Sequence, residues 1–379
     1  MNIIQLADGM LSIGGVSRFI YDFSAKLTKK DNKSITAVYE IEENHNWGDE
    51  SFNIIKLDEK DEDLNKIIEL KPDLIIWHVC GRTSGLAREL TQLYPTLAIV
   101  HSLPCPSGTR LYRDKDEICN IPSGKKCFQN WYTRRCGTHS SPLKAINALK
   151  VHNSMMDAMK LCNWVYTISN SMKSYLILEG IEEEKITIFD VSLGSLIVPQ
   201  ITDRVERKND DPIHILFVGR LSYVKGVQYL IKAVKVLLDD GIKIKCTIVG
   251  DGWFKEKLIK LSKDLNLEEV VTFVGAIPGS DVGEWYKAAD VVVVPSIYPE
   301  PAGLVVPEAR SYGKPVIVFN VGGLSEWENY MTGISTAISA DFSDLAQTIK
   351  QSVKNNKFTV PVGNKRVDLV EVTSSILFE

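Results

Sequence analysis

The stretch VVVVPSIYPEPAGLVVPEARSYGKPVIVF, residues 291–319, reads as a strand, a turn, a helix and a second strand in succession. VVVVP (291–295) and KPVIVF (314–319) are apolar on both faces, the pattern of strands buried in a parallel sheet. Toward the N-terminus the same alternation continues through the strand candidates VVTFVG (270–275), KIKCTIVG (243–250) and HILFVG (214–219). Helices are expected to start near Val227, Trp253, Asp281 and Gly303. Before a break at 195–212 the pattern recurs in NIIQLA (2–7), SITAVYEI (34–41), FNIIKL (52–57), DLIIWHV (73–79), LAIVHS (97–102), WVYTIS (164–169) and KITIFD (185–190). In GGVSRFIYDFSAKLTKK (14–30), Val16, Phe19, Ile20, Phe23 and Leu27 share one helix face. The class is therefore α/β, with two doubly wound domains and a ligand crevice expected at the carboxyl ends of the strands.

The charged, Pro-terminated break sets the expected boundaries: a first domain over 1–195, a linker over 196–212 and a second domain over 213–379. The 379 residues suit two such domains. A 44% hydrophobic and 24% charged composition excludes a disordered or fibrous chain. No apolar run reaches the roughly 18 residues of a membrane span, and MNIIQLADGM lacks the basic and apolar regions of a signal peptide, so a cytoplasmic enzyme is expected. A net charge of −4 argues against nucleic acid as a partner. The mean conceals an imbalance, because residues 101–175 hold 11 Lys/Arg against 4 acids.

Two motifs carry chemistry. In YPEPAGLVVPEARSYGKPV, Gly303, Leu304 and Val305 open a helix directly after a strand, where unpaired N–H groups and the dipole suit a phosphate. Glu300 and Glu308 flank that turn, and an ionised carboxylate accepts two hydroxyl hydrogen bonds, as a ribose or sugar diol requires. In FVGRLSYVKG, Arg220 and Lys225 follow a strand end and suit a pyrophosphate, the Arg by a forked contact and the Lys as a point charge. His101 closes an apolar strand at the crevice end, with His78 as a weaker rival. The one Asp-x-Asp, Asp61–Glu62–Asp63, reads as a solvated helix start rather than a metal site.

Together these residues resemble the retaining glycosyltransferases of the GT-B fold, specifically glycosyltransferase family 4 (glycosyl transferases group 1). Gly14–Gly15, VHS (100–102), VGDG (249–252), VGAI (274–277) and VGGLSEW (321–327) extend the likeness over most of the chain. The resemblance implies two Rossmann-like domains facing an interdomain cleft, with acceptor bound on the N-terminal side and donor on the C-terminal side. It implies a nucleotide-diphosphate sugar, UDP- or GDP-linked, as donor substrate, a glycan or lipid-linked acceptor, and neither cofactor nor catalytic metal. Arg220 and Lys225 would hold the pyrophosphate, the amides of Gly303, Leu304 and Val305 the distal phosphate, and Glu308 the ribose. Gly250 and Gly275 would border the nucleoside, and Gly14 and Gly15 would form a loop over phosphate and acceptor. Glu300 and His101 would act beside the transferred sugar. Such a chain would be a hexosyltransferase of cell-surface polysaccharide or glycoconjugate synthesis. Ala302 replaces the usual Phe, and DVSLGS (190–195) replaces the usual Asn-Gly.

An insertion at 104–140 has little periodicity and holds Cys105, Cys119, Cys127 and Cys136. A structural Zn²⁺ on these four thiols is one reading, and free or oxidisable thiols the other. After it, Ile146, Leu149, Met156 and Met159 fall at helical spacing on a helix expected to pack on the core. Its lysines and those of the insertion, within 101–175, are alternatively read as a peripheral contact with anionic membrane at the inner face of the cell membrane. Two other function classes are alternatives. One is a non-catalytic glycosyltransferase-like subunit that binds nucleotide sugar. The other is a nicotinamide oxidoreductase, disfavoured because GMLSIGG (9–15) lacks the Gly-x-Gly-x-x-Gly fingerprint.

Overall fold

The structure, a computed structural model, describes residues 1–11, 15–30, 32–42, 52–58, 62–137, 140–189 and 211–354. The described chain divides into two compact units. The first takes Met1–Asp114 and continues from Cys119; the second takes residues 211–354 together with Lys115–Ile118. The linker expected at 196–212 falls outside the described residues except for Asp211 and Pro212.

In the first half of the chain the elements are β1 (Asn2–Met10), α1 (Gly15–Thr28), β2 (Lys33–Ile41), β3 (Asn53–Lys56), α2 (Glu62–Glu69), β4 (Leu74–His78), α3 (Ser84–Leu90) and β5 (Thr96–Ile99). The insertion follows as β6 (Leu111–Tyr112), β7 (Glu117–Ile118) and α4 (Lys125–Thr133). Then come α5 (Pro142–Leu161), β8 (Trp164–Thr167), α6 (Asn170–Leu178) and β9 (Ile186–Ile188). Seven parallel strands stand in the order β3-β2-β1-β4-β5-β8-β9, and β6 pairs with β7 separately. The apolar runs meet across the sheet: Ile4 stands opposite Ile35 on one side and Ile75 on the other. Burying one such side chain contributes about 1.5–3 kcal/mol. Gln5, in the middle of β1, is a fully buried polar residue among them.

The second unit runs β10 (Ile213–Val218), α7 (Val227–Asp239), β11 (Ile244–Val249), α8 (Lys255–Asp264), β12 (Val271–Gly275), α9 (Val282–Ala288) and β13 (Val291–Val294). It ends with α10 (Val305–Ser311), β14 (Val316–Phe319), α11 (Gly322–Ser325), β15 (Ile334–Ala337) and α12 (Phe342–Lys354). Its six parallel strands are ordered β12-β11-β10-β13-β14-β15. Strand order reverses between β10 and β13, which makes their carboxyl ends the topological switch point where open α/β sheets bind ligands.

Several expectations need correction. After Gly333, β15 and α12 complete the second unit as far as Lys354. The buried face of α5 is Ala145, His152, Met156, Ala158 and Met159, whereas Ile146 is exposed. Asp63 is not solvated: it is buried and accepts a hydrogen bond from the Asp58 amide at 3.0 Å, fixing the start of α2. Asp61 and His139 lie outside the described residues.

Candidate active site

At the end of β10 the chain passes Gly219 and the exposed Arg220, then makes a short 3₁₀ turn over Tyr223–Lys225. Gly226 follows at φ +70°, the left-handed conformation, and starts α7. A Cβ on Gly226 would stand 1.7 Å from the Pro295 carbonyl oxygen, so only glycine lets this turn press against the end of β13. The Ile297 amide donates to Val224 O at 2.9 Å and fastens the two loops together. Gly226→Ala is therefore expected to cost the second unit about 2–4 kcal/mol, combining φ strain with overlap, as read by its denaturant midpoint.

This docking brings Lys225 to Glu300. Lys225 Nζ donates to Glu300 Oε1 at 2.7 Å, although the residues are 75 positions apart. The buried Ser296 hydroxyl donates to the same oxygen. The Lys225 ammonium also lies 5.5 Å from the Tyr298 ring centre. Glu300 is 5% exposed, and both of these donors fall on one of its oxygens. Burial and the Glu300 charge push the Tyr298 phenol up, against the opposing pull of Arg220.

Gly303 follows at φ +65°; a Cβ there would overlap Leu324 and come within 3.5 Å of Glu300 Oε2. The Val306 amide donates to Gly303 O and the Glu308 amide to Leu304 O. No hydrogen bond from the amides of Gly303, Leu304 or Val305 is found among the described residues. Glu308, on α10, accepts from the Tyr286 hydroxyl at 3.1 Å. Burial raises the Glu308 carboxyl above the usual carboxylate range, partly offset by that hydrogen bond. At the neighbouring strand ends, the Gly250 amide donates to Gly275 O at 2.8 Å. The second unit thus gathers Lys225, Glu300, Gly303, Leu304, Val305 and Glu308 around one loop, with Arg220 at the end of the adjacent strand β10. Sequence reading missed Ser296, Tyr286 and Tyr298, and of these only the place of Ser296 and Tyr298 in the same loop as Glu300 offered a local signal.

In the first unit, His78 and His101 are not rivals. His78 Nδ1 lies 2.9 Å from His101 Nε2, with the rings stacked at 5.2 Å. His78 Nε2 meets Gln5 Oε1 at 2.9 Å, and Phe19 stands edge-on to His101 at 5.0 Å. Burial lowers His101 to about 4 and, with the neighbouring His101, holds His78 well below the ordinary imidazole range. Gly15 begins α1, while Gly14 lies outside the described residues.

The insertion is organised by one of the arginines of the basic stretch 101–175. Arg110 is 1% exposed and donates to the carbonyls of Pro104, Cys119 and Ile121 and to the Glu179 carboxylate. Glu179 also accepts from the Ser123 amide and hydroxyl and meets His152 Nε2 at 3.4 Å. Arg134 is likewise paired, with Asp114 at 2.7 Å. The excess charge of 101–175 is therefore partly internal rather than an unbroken basic face. Cys105, Cys119, Cys127 and Cys136 line one cavity of about 20 Å³, and no disulfide joins them. Among the described residues no three His, Cys, Asp or Glu side chains stand ready to hold a metal ion. Burial raises the Cys127 and Cys136 thiols, the latter to about 12.

Residues 200–371 match the family profile described as Glycosyl transferases group 1. An uncharacterized glycosyltransferase of Methanocaldococcus jannaschii is 33% identical over 219 residues, covering 55% of this chain and 54% of the relative. A D-inositol 3-phosphate glycosyltransferase of Pseudarthrobacter chlorophenolicus is 40% identical over 116 residues, 30% of this chain and 27% of the relative. The chain thus spans about half the length of the first of these curated relatives and less of the second. Among solved structures, Alr3699/HepE of Anabaena in complex with UDP-glucose aligns over 99% of this chain and 98% of its own, with a TM-score of 0.67 at 18% identity.

Proposed function

We propose that the chain, which has the GT-B fold and whose residues 200–371 match the glycosyl transferases group 1 profile, is a retaining, metal-independent hexosyltransferase of glycosyltransferase family 4. Its donor is a UDP- or GDP-linked sugar, and its acceptor a glycan or lipid-linked sugar of cell-surface polysaccharide or glycoconjugate synthesis. The observation that carries this reading is the Lys225–Glu300 pair, buttressed by Ser296 and set beside Gly303.

The chemistry follows from charge. Departure of the nucleotide diphosphate develops negative charge, which Arg220, Lys225 and the amides of Gly303, Leu304 and Val305 would stabilise from fixed positions. Those groups stand in for the divalent metal that such a leaving group otherwise needs. Glu308 would accept from the ribose hydroxyls, and Gly250 and Gly275 would leave room for the nucleoside. Glu300 would meet the transferred sugar near its reacting face. His101, with the Gly14–Gly15 loop, would serve the sugar and acceptor from the first unit. The acceptor hydroxyl would attack from the face that the leaving group vacates.

The test is turnover. A panel of nucleotide sugars is screened for thermal stabilisation, where ligand at 100 times its Kd adds about 2.7 kcal/mol. The stabilising donor is then followed for hydrolysis or transfer. Binding without turnover would leave the alternative, a non-catalytic nucleotide-sugar-binding partner subunit. Because burial raises the Glu308 carboxyl, donor KM is expected to climb as pH falls, starting above the ordinary carboxylate range. A neutral carboxyl loses acceptor capacity for the diol, so Glu308→Gln should flatten that pH profile, and an unchanged profile would remove Glu308 from the donor site.

No helix among the described residues is long and apolar enough to cross a membrane. Our reading places the protein in the cytoplasm, with the remaining exposed cations of residues 101–175 contacting anionic lipid at the inner face and no nucleic acid bound. Transfer to a lipid diphosphate should then weaken as salt is raised. The four insertion thiols enter only as a structural Zn²⁺ site that the metal would have to draw together. About one zinc per chain, lost in Cys127→Ser, would support it, and metal-free protein would remove it.

A further inference from the structure

Gln5 sits at the centre of β1, fully buried, and its side-chain nitrogen donates to the Ser24 and Ser34 hydroxyls at 2.5 and 3.1 Å. That leaves its carbonyl oxygen facing His78 Nε2 at 2.9 Å. An amide oxygen only accepts, so His78 Nε2 carries the hydrogen. A neutral imidazole has one N–H, so His78 Nδ1 is an acceptor and its partner, His101 Nε2, has to donate across the 2.9 Å between them. The proton order of the chain ends in a lone pair on His101 Nδ1. His101 keeps partial exposure at its surface, and no hydrogen bond to its Nδ1 is found among the described residues.

We propose that Gln5 and His78 are positioning residues that lock His101 in the Nε2–H tautomer, so that Nδ1 accepts a hydrogen bond from a hydroxyl of the bound sugar substrate. This rests on the reading of His101 as an active-site residue. The packing supports it: Phe19 stands edge-on to both rings, at 6.0 Å from His78 and 5.0 Å from His101, and fixes their planes. Burial keeps both rings neutral at neutral pH, as the one-proton count requires. A buried Gln in the middle of an apolar strand, otherwise a cost, thereby acquires a use.

The experiment is long-range ¹H–¹⁵N correlation spectroscopy on the full chain labelled at its histidines, with His101 assigned through His101→Gln. The expected spectrum shows His101 protonated at Nε2 and bare at Nδ1. Turning the Gln5 amide over would reverse every proton in the chain, so a His101 Nδ1–H overturns the proposal. His78→Phe keeps a stacked ring but removes the acceptor; His101 should then populate both tautomers, with kcat lowered about 10-fold and donor KM changed less than about 2-fold. An unchanged tautomer and kcat in His78→Phe also overturns it. The wild-type spectrum does not depend on any variant folding. If the tautomer is as expected but the purified chain turns over no nucleotide sugar, the sugar hydroxyl as occupant is overturned together with the proposed function. If turnover depends on Lys225 while His101 carries Nδ1–H, the relay alone fails.

Discussion

Replacing Lys225 with alanine is expected to lower nucleotide-sugar kcat/KM by about 10²–10³-fold, the cost of removing one preplaced stabiliser of developing charge. The effect should fall mainly on kcat, because negative charge on the leaving group grows toward the transition state. Its size is amplified by the pairing. Lys225 is one of two donors on Glu300 Oε1, and Glu300 is only 5% exposed. Alanine therefore leaves a buried side chain held by Ser296 alone. Glu300→Gln removes the carboxyl while keeping the shape. In a double-mutant cycle the two substitutions should be strongly non-additive, with an interaction of about 1–2 kcal/mol in both stability and transition-state energy. Additive effects would mean that the pair is not a functional unit. Lys225→Arg is not a rescue, since a planar fork does not fit the space of a point charge set over the Tyr298 ring.

Much of the architecture was legible because parallel strands are buried on both faces and so appear as unbroken apolar runs. β4 (LIIWH) and β5 (TLAI) are buried along their whole length, whereas β1 is interrupted by Gln5 and β9 by Thr187. β15 has no such run: ISTA is an edge strand, only half-buried over Ile334–Thr336, and its polar residues hid it. The site was legible where spacing carried it. Arg220 with Lys225, and Gly303 with Glu308, lie within one turn or helix of each other, and local sequence records that. What joins Lys225 to Glu300 is the docking of two loops through Gly226 against Pro295, which no local pattern encodes. The same holds for His78. Ranked by itself it is an ordinary histidine at a strand end, and only the neighbouring positions of β1, β4 and β5 put it between Gln5 and His101. The burial of Arg110 is hidden for a related reason, since counting charge says nothing of where a guanidinium ends up.

Arg110 and Glu179 set the largest expected effect on stability. They are 69 positions apart in sequence, their side chains are 1% and 4% exposed, and the Arg stacks 4.6 Å from the Tyr175 ring centre. Glu179→Gln keeps the volume and most hydrogen bonds but leaves the guanidinium buried without a counter-charge. The expected cost is about 3–5 kcal/mol, on the order of 10 °C in the melting of the first unit. Arg110→Met in the same background should recover part of it, since an apolar replacement of both partners leaves no orphaned charge. Acid dependence gives an independent sign. Burial alone would raise the Glu179 carboxyl, but the hydrogen bond from His152, the Arg110 charge and the Ser123 hydroxyl together hold it below its ordinary 4.5. A carboxyl depressed in the folded state contributes stability that is present above the unfolded value and lost as pH falls through the folded one. The wild-type melting temperature should therefore drop below about pH 4.5 more steeply than that of Glu179→Gln, and the two curves should converge in acid. Parallel curves, or a neutral-pH cost under about 1 kcal/mol, would show that the insertion is held by its apolar contacts and carbonyl hydrogen bonds rather than by this charge pair.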